Sequence, residues 1–161
     1  MFIPFEKMPK NGRVWIYQAN RELSLKESAF AIQESESFCE QWAAHGHQLN
    51  CSCQLTHNRF LVLAVDESIE LPSGCSIDSS VHLVRHLEKS LGIDFFDRTN
   101  IPFLKDGDVF IEPLPDIRTK IQQGTITSET LTFNNLVPTI SAFENSWMVP
   151  AKDTWLKKYF S

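Results

Sequence analysis

The sequence predicts an α+β fold for a single domain spanning residues 1–161, with a ferredoxin-like βαββαβ core and an irregular C-terminal extension. Three observations predict it: a β-branched and aromatic segment near the N-terminus, two long segments with helical periodicity, and two apolar segments between them. A chain of 161 residues with 42% hydrophobic content is the size of one ordinary domain. In the split βαβ arrangement, helices cover one face of a mainly antiparallel sheet.

The first two predicted elements are a strand at residues 13–19 and a helix from residue 24 to about residue 45. The strand is rich in β-branched and aromatic residues and is bounded by polar turn residues. Ser24 and Glu27 have the spacing of a capping box, and Gly46 is the residue type that closes a helix. The side predicted to face the core contains Leu25, Ala29, Ile32, Cys39, Trp42 and Ala43.

The next elements are two strands at residues 50–57 and 59–65, joined by a tight turn. The second strand is apolar throughout, which predicts a central strand covered on both faces. A second helix is expected from Ser76 or Ile77 to Leu91, with Gly92 as its stop. Its predicted inward side contains Ile77, Val81, Val84, Leu87, Glu88 and Leu91. A strand at residues 109–112 completes the βαββαβ order.

The last third of the chain is less regular. We expect a short helix at 116–123 ended by Gly124, a short strand at 130–133, and a docked helix at 151–160. Large apolar side chains allow two arrangements: some form an exposed patch for self-association or a ligand, or the last third covers the open face of the sheet. The tryptophans concerned are Trp15, Trp42, Trp147 and Trp155.

Charge and composition bound the possible partners. The net charge of -5 and the scattered Lys and Arg residues argue against nucleic-acid binding, which needs a basic face. The N-terminal residues lack a signal-peptide pattern, and no window approaches the roughly 18 apolar residues of a membrane helix. We therefore expect a cytoplasmic protein without a cofactor, whose four cysteines are thiols.

Four segments resemble an uncharacterised family of small Bacteroidetes proteins, some of which carry the automatic label "ABC transporter ATPase". The segments are residues 13–21, 73–78, 133–137 and 149–155, and the resemblance covers nearly the whole chain. An ATPase P-loop needs a glycine followed by Lys and then Ser or Thr, and none of the six glycines has that sequence after it. The resemblance therefore implies no catalytic residue here.

The first candidate site is the loop that enters the second helix, from Ser73 to Ser76. Free amides at a helix start bind anions and stabilise a thiolate, so Cys75 could be a nucleophile with His82 as its base. Gly74, Cys75, Ser76 and Asp78 are the candidate ligand-binding residues of this loop. In the alternative, Ser76 or Asp78 is only an N-cap and Cys75 is a small buried residue.

The second candidate is a metal site. His47, Cys51, Cys53 and His57 are ligand types that zinc prefers, and His45 lies close to them in sequence. The spacing does not follow a zinc motif, and a strand face shared with Leu55 indicates core packing instead.

The third candidate is the segment 94–99, in which Asp97 and Arg98 could orient a polar ligand. An arginine binds a carboxylate or phosphate through two parallel hydrogen bonds. Asn134, Asn135 and the pair at 152–153 could likewise contact a ligand, or they could only stabilise local turns.

Two functions remain open from the sequence. The first is a binding or interaction protein without catalysis, as a possible homo-oligomer or with a small anionic ligand. The second is a small enzyme at the loop of residues 73–76 that acts on a phosphorylated or carboxylated metabolite, which requires a pocket at that loop.

Overall fold

The computed structural model describes residues 1–161 and has the α+β architecture that the sequence predicts. The strands are β1 (Arg13–Gln18), β2 (Ala43–Ala44), β3 (His47–Gln48), β4 (Cys51–Thr56), β5 (Phe60–Val65), β6 (Asn100–Lys105), β7 (Asp108–Pro113), β8 (Leu131–Phe133) and β9 (Met148–Pro150). The helices are α1 (Leu25–Gln41), α2 (Gly74–Leu91), α3 (Ile117–Gln122) and α4 (Ile140–Ser146). Short 3-10 turns occur at Phe5–Lys7, Leu114–Asp116, Ala151–Asp153 and Trp155–Tyr159.

The first sheet has the strand order β1-β5-β4, and both pairs are antiparallel. All six residues of the central strand β5 are buried, as its unbroken apolar sequence predicts. Leu61, Leu63 and Val65 face one core cluster, whereas Phe60, Val62 and Ala64 face another. Because β5 alternates between two apolar clusters, it joins the two halves of the molecule.

Helix α1 starts as predicted but ends earlier than expected. The Ser24 hydroxyl accepts from the Glu27 amide at 3.2 Å, and the Glu27 carboxylate accepts from the Ser24 amide at 2.9 Å. The helix ends at Gln41, and β2 and β3 then form a short hairpin. His45 and Gly46 have φ values of 51° and 79°, which suits the tight turn between two strands. The predicted role of Gly46 as the helix stop is therefore wrong.

The inward side of α1 also differs from the predicted one. Leu25 is 83% exposed and Ile32 is 36% exposed, although both were assigned to the core face. The buried residues of α1 are Ser28, Ala31, Ser35 and Cys39. Small side chains on this side bring the helix backbone close to β4, and hydrophobicity alone does not signal such a face.

Helix α2 starts earlier than predicted. Ser73 is its N-cap, so the capping roles proposed for Ser76 and Asp78 are wrong. Ser76 and Ser80 are buried on the inward side, together with Leu83, Val84 and Leu87. Gly92 ends the helix with a φ of 65°, as its position predicts.

The second sheet has the order β7-β6-β8-β9 and contains the strand predicted at residues 109–112. That strand, within β7, pairs with β6 and has no pairing with β1. A four-stranded ferredoxin-like sheet is therefore not confirmed. The coarser prediction, a mixed α+β fold with antiparallel sheets, is confirmed.

The C-terminal third covers the second face of the first sheet. Phe133, Val137, Ile140, Phe143 and Trp147 pack on the β5 side chains in one cluster. This is the second of the two arrangements that the sequence allowed. The predicted strand near residue 131 and the helix stop at Gly124 are confirmed, whereas the tail forms 3-10 turns instead of one helix.

None of the helices combines the length and apolar character that crossing a membrane requires.

Candidate functional site

The loop at the start of α2 is capped by its own serine. The Ser73 hydroxyl accepts from the Ser76 amide at 3.1 Å, and the Ser73 carbonyl accepts from the Ile77 amide at 3.0 Å. The Ser76 bond occupies one of the donors that an anion would use, and the Ile77 bond is the first main-chain bond of the helix. The side chains of Cys75, Asp78 and His82 are exposed. Neither of the two main cavities is lined by residues 73–78.

The proposed metal ligands do not come together. His47 is exposed on the β2–β3 hairpin, and Cys51 and Cys53 are buried under α1. The ring of His57 lies 5.9 Å from the Phe133 ring, in the region of the other core cluster. No group of three or more His, Cys, Asp or Glu side chains has the arrangement of a metal site.

A cleft of about 810 Å³ lies between the two sheets. Its walls are the outer edge of β1, the loop before β6, the turn after β8 and the C-terminal segment. The residues that line it are 16–18, 95–98, 100–102, 132–136, 146, 149 and 153–155. This cleft gathers Asp97, Arg98, Asn134, Asn135 and Asp153, which the sequence offered as separate candidates for ligand contacts or local turns.

A chain of side-chain hydrogen bonds crosses the floor of the cleft and joins the two sheets. The Trp147 indole donates to Asn135 Oδ1 at 2.9 Å, and Asn135 Nδ2 donates to Gln18 Oε1 at 3.2 Å. Gln18 Nε2 then donates to the Asn100 carbonyl at 2.9 Å. We call Trp147, Asn135 and Gln18 the amide chain. Because each link fixes the next side chain, the floor is pre-organised.

Asp97 shapes the loop at one end of the cleft. Its carboxylate accepts from the Thr99 amide at 3.0 Å, from the Thr99 hydroxyl at 2.9 Å and from Asn100 Nδ2 at 2.7 Å. Burial raises the pKa of this carboxyl, but the hydrogen bonds from Asn100 and Thr99 outweigh burial and hold the pKa below its ordinary value. Asp97 is therefore an ionised turn former whose acceptor capacity is largely used.

Arg98 and Asp153 are the other charged residues of the cleft. Both are exposed, and neither forms an ion pair with any residue of the protein. The two side chains are thus an unpaired cation and an unpaired anion in one cavity. A ligand that carries both charges can pair with them without breaking an existing contact.

Two large apolar side chains are exposed at the cleft. Trp155 is 52% exposed and Leu136 is 89% exposed, so both present apolar surface to a ligand. One side of the Trp155 indole is near Lys158, whose Nζ lies 5.7 Å from the ring centre. A half-exposed indole offers a ligand both an apolar face and a polar N–H.

Sequence reasoning missed Gln18, which links the two sheets. The only feature of the sequence that marks Gln18 is its polar side chain at the end of a largely apolar and aromatic strand. This feature does not indicate its hydrogen-bond partners, Asn100 and Asn135, which lie 82 and 117 positions away along the chain.

No protein-family model, no curated protein and no solved structure matches this chain significantly. The family resemblance noted in the sequence therefore stays a prediction, and the geometry of the cleft carries the functional argument.

Proposed function

We propose that this is a binding protein whose cleft between the two sheets holds a small ligand. The observation that carries the proposal is the combination of an 810 Å³ cavity, a fixed polar floor and two unpaired opposite charges. Ligand sites are concave, largely apolar and contain a few polar groups in defined positions. The exposed Trp155 and Leu136 side chains and the amide chain fit that description.

The composition of the lining supports binding over catalysis. The cleft contains no Cys, His or Lys side chain, and the Asp97 carboxylate already accepts three hydrogen bonds. A nucleophile with an adjacent general base, the usual arrangement for covalent catalysis, is not assembled there. The free thiols suit a reducing compartment, so a cytoplasmic location is part of this proposal.

The second candidate function, a thiol-based site at Ser73–Ser76, has one supporting observation. Cys75 is the single exposed cysteine of the four. Because neither main cavity reaches this loop, the cleft is the better supported site.

A fragment screen by two-dimensional NMR tests the proposal. We expect fragment hits to shift the backbone amide signals of residues 16–18, 97–100 and 132–136. Ser146→Trp places a large side chain at the cleft wall and should abolish these shifts. Ser141→Trp, the same change at an exposed position of α4 outside the cleft, should leave them intact. Fragments that shift amide signals outside the cleft, or that still shift the cleft signals of the Ser146→Trp variant, would contradict the proposal.

A further inference from the structure

The outer edge of β1 is open in the middle and closed at both ends. On this side the Val14 amide donates to the Pro138 carbonyl at 3.0 Å, and the Asn20 amide donates to the Asp94 carbonyl at 2.8 Å. Alternate residues of a strand direct their main-chain groups to the same side, so the amide and carbonyl of Ile16 also point outward. No strand pairs with β1 on this side. Ile16 lines the cleft and therefore offers it one donor and one acceptor.

The length of this opening limits what can pair with it. The distance from Val14 to Gln18 is four residues of strand, or about 14 Å at about 3.4 Å per residue. An extended peptide that pairs with Ile16 exchanges two hydrogen bonds with it. A chain longer than about four residues would collide with the segments bonded at Val14 and bridged at Gln18. The opening thus fits a short strand-like ligand.

The two unpaired charges of the cleft are opposite in sign, as are the two ends of a free peptide. A guanidinium binds a carboxylate through two parallel hydrogen bonds, which suits Arg98 to a free C-terminus. The carboxylate of Asp153 is a suitable acceptor for a free ammonium group. The two side chains form no ion pair with each other, so both charges are available to one ligand. The half-exposed ring of Trp155 is available to its side chains.

Resting on the proposed ligand-binding function, we infer that the ligand is a peptide of three or four residues with both termini free. It adds to the outer edge of β1 at Ile16, with its carboxylate at Arg98 and its ammonium group at Asp153. This is strand addition restricted to one hydrogen-bonded residue pair, with the terminal charges supplying length selection.

Isothermal titration calorimetry with defined tripeptides tests the inference. The probes are tripeptides of the form alanine-X-alanine with free termini, in which X is an aliphatic, aromatic, polar or charged residue. The best binder is then compared with its C-terminal amide, its N-acetyl form and a form N-methylated at the central residue. We expect each modification to weaken binding by about tenfold, the effect of one lost charged or main-chain contact.

Protein variants identify which contact each modification removes. With Arg98→Met, the free acid and the amide should bind equally, and with Asp153→Asn the free amine and the acetylated form should bind equally. Arg118→Met and Asp108→Asn are matched control changes at exposed positions outside the cleft, and both should keep the wild-type preferences.

The outcomes separate this inference from the function on which it rests. If fragments bind in the cleft but no tripeptide does, the peptide assignment is wrong and the binding function stands. If tripeptides bind but capped termini make no difference, the roles of Arg98 and Asp153 are wrong. If neither fragments nor tripeptides shift the cleft signals, both the inference and the proposed function fail.

Discussion

Replacing Gln18 with methionine should destabilise the protein by about 2 kcal/mol. Gln18 is 6% exposed and makes two hydrogen bonds, one to the Asn100 carbonyl and one from Asn135. Methionine keeps the length and approximate volume of the side chain but makes neither bond. An intramolecular hydrogen bond contributes about 0.5–1.5 kcal/mol, and an unsatisfied buried partner costs about 1–3 kcal/mol. Asn100 and Asn135 border the cleft, where water can replace the lost hydrogen bonds. The expected loss in the free energy of unfolding therefore comes mainly from the two hydrogen bonds and amounts to about 2 kcal/mol.

Urea denaturation followed by tryptophan fluorescence measures the effect. With a slope of about 2 kcal/mol per molar urea, a loss of 2 kcal/mol lowers the midpoint by about 1 M. Gln48→Met is the matched control: Gln48 is exposed and makes a single hydrogen bond, to the Glu40 carbonyl at 2.7 Å. The control should change the free energy of unfolding by less than about 0.5 kcal/mol.

A double-mutant cycle checks that the amide chain acts as a connected unit. Asn135→Ala alone should destabilise the protein, and its effect should be smaller in the Gln18→Met background, with a coupling of about 1 kcal/mol. Additive effects, or a Gln18→Met protein as stable as wild type, would refute the view that this chain fixes the two sheets together.

Three further predictions concern a capping residue, two glycines and the thiols. Arg21 and Ser24 hold the pKa of Glu27 at about 2, below its ordinary value of 4.5. The ionised Glu27 carboxylate therefore stabilises the folded protein above pH 4.5, and this stabilisation is lost as the pH falls towards 2. The difference in stability between wild type and Glu27→Gln, measured by urea titration, should therefore shrink from pH 6 to pH 2, and a constant difference would contradict this. Gly12→Ala should lower the free energy of unfolding by about 1–3 kcal/mol, because the new Cβ would lie 3.0 Å from the Pro9 carbonyl oxygen. Gly74→Ala has open space around the new Cβ and should not lower the thermal midpoint. Titration with a thiol reagent should modify Cys75 alone in the folded protein, and modification of more than one thiol before unfolding would contradict the burial of the others, which are Cys39, Cys51 and Cys53.

The start of α1, the end of α2 and the β4–β5 hairpin could be predicted because their signals are local. A capping box, a left-handed glycine and an apolar strand next to a turn depend on residues within a few positions of each other. The end of α1 was missed because Gly46 suits both a helix stop and a tight turn. Local conformation alone does not distinguish these two uses of a glycine.

Strand β6 was missed because it contains Pro102, and proline disfavours an interior strand. In the structure, the pairing of β6 with β8 begins one residue later, at Phe103 opposite Thr132. The Thr132 hydroxyl donates to the Pro102 carbonyl at 2.7 Å and so satisfies it. This hydrogen bond joins residues that lie 30 positions apart in the sequence.

The candidate site was predicted as separate residues but not as a site. Asp97, Arg98 and Asn135 were predicted either to contact a ligand or to form turns, and the sequence placed the expected pocket at the loop of residues 73–76 instead. The cleft exists because β1 ends beside residues 95–100 and the turn after β8 lies against the same edge. These segments become neighbours only through the packing of the two sheets, which local sequence patterns do not predict.

The sequence by itself determined the α+β class, the start of α1, the end of α2, the β4–β5 hairpin and the burial of β5, because caps, turns and apolar runs act between near neighbours. The tertiary structure alone decided that β7 lies in a second sheet, that the last third of the chain covers the first sheet, and that a cleft opens between them. These features arise from long-range side-chain contacts, such as the bond of Gln18 to Asn135 across 117 positions, for which local patterns carry no signal.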